Sequence, residues 1–139
     1  MTPSAPAAQC SVRTAFRWLL GSILLFAGTS HLTVARATFQ AQVPRWVPLN
    51  PDLVVILSGI VEITLGFSLL MAKRRRPTVG WIVAAFFVAI FPGNLHQYVR
   101  RIDAFGLNSD TSRLVRLILH PVLPLWALWS TGAWPSRRA

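Results

Sequence analysis

Four long apolar runs, separated by short polar bursts, fill most of this chain. The first follows Arg13 and Arg17 and runs from Trp18 to Leu32, extendable to about Ala35. The second, Leu53 to Ala72, stops at Lys73-Arg74-Arg75-Arg76; the third opens after Pro77 and continues to Val99; the fourth lies between Arg113 and Trp134. A hydrocarbon core needs about 20 apolar residues of helix to cross it, so each run predicts a spanning helix, at about 14–35, 53–72, 78–99 and 113–134. The expected fold is all-α: one polytopic membrane domain over 14–134, a four-transmembrane-helix bundle, flanked by cytoplasmic tails at 1–13 and 135–139. Pro92 in the third run and Pro121 and Pro124 in the fourth predict kinks, since each removes a backbone donor.

A cleaved signal peptide competes for the first run, because Ala35-Arg36-Ala37 has the small-x-small form of a cleavage site. Gly21, Gly28 and His31 on one helical stripe suit a retained, packed helix better.

Composition sharpens this picture. The chain has 139 residues, 53% hydrophobic and 13% charged, against about 25% charged in an ordinary soluble domain. Its formal charge of +10 could suggest nucleic acid, but the cations cap apolar runs and do not gather on a face with interleaved aromatics. Nucleic acid is therefore not an expected partner; lipid headgroups are. Cys10 is the single cysteine, which excludes an intramolecular disulfide.

Orientation follows from the positive-inside rule. With both termini inside, the inner side holds Arg13, Arg17, Lys73 to Arg76, Arg137 and Arg138. The outer side holds Arg36, Arg45, Arg100, Arg101, Arg113 and Arg116, with Asp52, Asp103 and Asp110. Trp18, Trp81, Trp126, Trp129 and Trp134 fall toward the inner ends, as an aromatic belt would.

Candidate chemistry lies within the apolar runs. Glu62 sits near the middle of the second, where a bare charge costs several kcal/mol, so it needs a partner or a proton. Ser58, Gly59 and Gly66 share its stripe and admit a close neighbour. Glu62 then either pins the bundle or serves a ligand, proton or partner. His31, His96 and His120 fall in the outer half of the membrane, without the spacing of a metal site, so interhelical hydrogen bonds are their expected role. Asn94 and Gln97 join His96 beyond Pro92-Gly93, where they either form a pocket or satisfy a disturbed backbone. The loop from Thr38 to Pro51 is too rich in proline for a continuous helix; its Trp46 is a lid over a cavity or an interfacial anchor. No nucleophile elbow, phosphate loop, zinc signature or haem-attachment motif occurs.

Phe26-Ala27-Gly28 with His31, Val43 to Pro48, Ser58-Gly59 with Glu62, and Phe91-Pro92-Gly93-Asn94 together resemble the motif series of DoxX-like membrane proteins over about residues 16–132. The resemblance implies a small four-helix protein of the bacterial cytoplasmic membrane, with His31, Glu62 and Asn94 at recurrent polar positions. Gly93 stands where alanine is more usual, and a chain with Cys10 alone departs from thiol-active relatives.

The expected function is an accessory subunit without independent catalysis, bound to a membrane partner, in particular a redox complex, or to further copies of itself. One alternative is a quinone-linked oxidoreductase component in which Glu62 and a histidine exchange protons with the carrier; no intrinsic cofactor is expected. The other is a binding or transport protein for a lipid or small lipophile. His31, Glu62, Asn94, His96 and Trp46 are the candidate binding residues.

Overall fold

The computed structural model describes residues 5–34, 36–41, 43–101 and 109–134. Ala35, Asp103, the tail at 135–139 and the outermost residues 1–4 lie outside the described residues.

Among the described residues the structure is helical throughout, with no strand. The helices are α1 (Ala5–Leu32), α2 (Arg36–Gln40), α3 (Pro51–Met71), α4 (Arg76–Val99), α5 (Asp110–Leu119) and α6 (Val122–Thr131). Their ends are written locally. Asn50 accepts the Asp52 backbone N–H at 2.9 Å and Pro51 opens the first turn of α3. Ser109 and Ser112 form a reciprocal capping box at α5. Gly132, at φ 76°, closes α6 in the left-handed conformation that glycine adopts freely.

Three segments are long and apolar enough to cross a membrane: Pro51–Met71, Arg76–Val99 and Thr111–Thr131. Phe67, Val88 and Ile118 are exposed on them, as lipid-facing side chains would be.

The boundaries differ from the sequence expectation in three places. α1 starts at Ala5, because the alanine-rich stretch before Arg13 has no helix breaker after Pro6. The fourth run is two helices. Pro124 cannot donate to the His120 carbonyl, so Leu123 N–H takes it at 3.0 Å, one residue early, and the chain turns at His120-Pro121. A short helix, α2, opens the proline-rich loop; Arg36 Nε and Gln40 Nε2 donate to Asp52 Oδ1 at 2.6 and 2.5 Å and tie it to the start of α3.

α1 and α3 pack antiparallel along a seam where glycines let the backbones meet at two points. A Cβ on Gly21 would lie 2.8 Å from the Gly66 carbonyl, and one on Gly66 2.7 Å from the Gly21 carbonyl. One helix turn pair away, a Cβ on Gly28 would lie 2.7 Å from the Gly59 carbonyl and one on Gly59 3.0 Å from the Gly28 carbonyl. Small residues let backbones approach this way where lipid supplies no hydrophobic drive. α4 meets α6 through Gly80, which seats Thr131. Leu20, Leu24, Leu65, Leu69, Val83, Phe87 and Ala127 join the two pairs in one core.

The end that carries the 72–75 turn is closed. There Arg17 donates to the Ala72 carbonyl at 2.5 Å, Trp126 Nε1 donates to the Phe16 carbonyl at 3.0 Å, and Arg13 lies over the Trp129 ring. The opposite end is open between the pairs.

Candidate functional site

At that open end a cavity of about 970 Å³ separates α1 and α3 from α4 and α5, under α2 and the 43–47 loop. Its walls are largely apolar, among them Val54, Val55, Ile90, Val115 and Leu119, with a few polar groups converging on it. Size and lining are those of a site for a small ligand.

One polar group belongs to α1 and α3. The Gly28–Gly59 contact brings the helices so close that a Cβ on Gly59 would lie 2.9 Å from His31 Cβ, and this sets His31 beside Glu62. Both are buried, at 7% and 5% exposure. His31 Nδ1 lies 2.9 Å from the Ala27 carbonyl and 2.9 Å from Glu62 Oε2. One ring N–H cannot serve both acceptors well. The alignment favours the carbonyl, leaving Oε2 at ion-pair distance but without a hydrogen-bond donor. The Phe39 ring lies 3.4 Å from the imidazole between centroids, so α2 roofs this pair.

A second group belongs to α4 and α5. His120 Nδ1 lies 2.7 Å from Asn94 Nδ2, and His120 Nε2 lies 2.7 Å from the Phe87 carbonyl. An amide N–H donates to Nδ1 and Nε2–H donates to the carbonyl, which assigns a neutral imidazole with its proton on Nε2. This bond spans the stretch of α4 that Pro92 loosens, since Pro92 cannot donate to Val88. Nearer the open end, Arg116 Nη1 donates to Gln97 Oε1 at 2.6 Å, and Gln97 is 1% exposed.

Of the residues expected to bind, His31, Glu62, Asn94 and Trp46 line this cavity. Trp46 does so from the loop while staying largely exposed. His96 does not line it: two residues beyond Asn94 on α4, it takes another side of the helix, within electrostatic reach of Arg45 and Arg100. Arg116, Ser112 and His120 line the cavity as well. Arg116 reads in sequence as an interfacial cation, and only the turn at His120-Pro121 shows which way α5 presents it. No group of three or more metal-ligating residues occurs among the described residues.

A family model described as a domain of unknown function (DUF8561) matches residues 20–131. No curated protein and no solved structure matches. The DoxX-like resemblance is thereby corrected: its motifs are short combinations of Gly, Pro and single polar residues that small helix bundles share, and the full-length pattern belongs elsewhere.

Proposed function

Because the chain belongs to the family described as a domain of unknown function (DUF8561), we propose a function from the cavity alone: a membrane protein that binds a small lipophilic molecule between its helix pairs. The carrying observation is the cavity of about 970 Å³, apolar over most of its wall, with Glu62, Asn94 and Arg116 converging on it. In this reading α1 crosses the bilayer beside the three apolar spans, giving four crossings with both termini on the cytoplasmic side. The Lys73 to Arg75 turn, the exposed apolar faces of α1 at Leu19, Ile23 and Phe26, and the tryptophans at the closed end support it. The redox-partner expectation drew on the corrected resemblance.

Ser58 lies on the cavity wall and is only partly exposed. Native mass spectrometry of protein extracted in mild detergent should show a bound small molecule on the wild type, and Ser58→Trp, which fills the space, should lose it while remaining folded. An unliganded wild type, or equal occupancy in both, would contradict the binding function.

The topology has its own test. In a Cys10→Ser background, a cysteine at the exposed Leu49 should react with an impermeant maleimide in intact cells. Reaction only after lysis would invert the orientation.

A further inference from the structure

We propose that the ligand is an anionic amphiphile, an alkyl carboxylate or alkyl phosphate, whose head is held by Arg116 and whose chain lies down the apolar wall toward Glu62. This rests on the cavity being a ligand site and names what it takes.

The cavity is polarised along its length. Gln97 lies two residues from the end of α4, and its bond to Arg116 fixes that guanidinium near the open end. Glu62 lies eleven residues inside α3, roughly 16 Å down at 1.5 Å per residue. Between these levels the wall is Val54, Val55, Ile90, Val115 and Leu119. Arg116 is the cation and Glu62 the acid among the described lining residues.

Among the described side chains at the rim, Arg45 and Arg100 are the cations an entering head meets. Arg45 sits between Pro44 and Trp46, both of which line the cavity. Arg100 follows the last turn of α4, and both arginines reach His96 electrostatically. Asp52, the acid nearest this end among the described side chains, is already engaged by Arg36 and Gln40. A cationic head entering here meets repulsion, and a neutral head gains little from a guanidinium. A carboxylate or phosphate gains charge-assisted hydrogen bonds from the guanidinium at the level where headgroups lie. An apolar chain matches the wall below, and the His31–Glu62 pair closes the deep end.

The test uses the protein in nanodiscs of zwitterionic lipid at one fixed low salt. Dissociation constants are measured for dodecyl phosphate, dodecanoate, dodecanol, dodecyltrimethylammonium and inorganic phosphate. Each probe partitions differently into the bilayer, so the ratio of variant to wild type for one probe is the quantity compared. Arg116→Met should weaken both anionic amphiphiles by about tenfold or more, the scale of hydrogen bonds to a charged group, and change dodecanol by less than about twofold. Retained dodecanol binding reports an intact cavity. Arg45→Gln, at an exposed rim position, leaves the interior untouched should the methionine variant not fold; it should weaken the anions about threefold and spare dodecanol. Equal losses for anions and dodecanol, unchanged anion binding, a preference for the ammonium probe, or inorganic phosphate binding as tightly as dodecyl phosphate would each overturn the inference. Dodecanol bound with no response of the anions to either substitution sinks the inference and keeps the cavity; no probe bound by the wild type sinks both.

Discussion

Gly66→Leu is expected to leave almost no monodisperse protein in detergent, while Ser22→Leu, on the exposed side of α1, behaves as wild type. A Cβ on Gly66 would lie 2.7 Å from the Gly21 carbonyl, 2.9 Å from the Leu25 nitrogen and 3.1 Å from Leu24 Cβ. The first two are backbone atoms of a regular helix, so relief requires the whole of α1 to move. Overpacking typically costs about 1–3 kcal/mol, which sets the expectation for Gly66→Ala; leucine adds a branched group where there is no space and should exceed it. Gly28→Ala meets the Gly59 carbonyl at 2.7 Å and Ile63 nitrogen at 2.9 Å and should cost as much. Fluorescence-detected size exclusion and thermal unfolding in detergent measure both. A Gly66→Leu protein with the wild-type profile would mean that the seam is not the principal contact between α1 and α3.

His120→Leu is expected to be the most damaging substitution on the opposite wall. It removes the acceptor of an Asn94 N–H and the donor to the Phe87 carbonyl, both 2.7 Å bonds in a buried setting. An orphaned buried polar group costs about 1–3 kcal/mol, although hydrogen bonds within membrane bundles average nearer about 0.6 kcal/mol because the inserted, unfolded helices find other partners. We expect a loss of about 1–3 kcal/mol in total. The coupling is the sharper test. Asn94→Leu together with His120→Leu should cost less than the sum of the single changes, because the second substitution removes a group the first had orphaned. Strict additivity in detergent unfolding would show that the two side chains act separately.

Much of the helical architecture was legible because the lipid-facing surface imposes long apolar runs with polar ends. Glu62 also announced itself: a carboxyl among leucine, isoleucine and valine needs an explanation, and Ser58, Gly59 and Gly66 on its stripe implied a close neighbour. What the pattern could not supply was the identity of that neighbour. Gly21 and Gly28 are spaced seven apart, as are Gly59 and Gly66, and the matching spacing is visible, yet only the observed register pairs Gly21 with Gly66 and places His31 over Glu62. His120 makes the interhelical hydrogen bonds expected of it, but its place on the cavity wall was not legible. Periodicity treats residues 113–134 as one helix, but Pro121 and Pro124 break it, and that break turns His120 and Arg116 toward α4. His96 shows the converse. Sharing a segment with Asn94 is not sharing a face, and two residues along a helix is a rotation of about 200° at 3.6 residues per turn.

The glycine seam also bears on the order in which the molecule assembles. α1 and α3 are the chain's first two long helices, joined by the stretch 33–50 that contains α2, so their contact is made between neighbours in chain order. Chain-local contacts form with little loss of loop entropy, and synthesis delivers them first. The seam can therefore form as a helical hairpin before α4 has been made. The far wall of the cavity, built from α4 and α5, arrives later on a partner already in register.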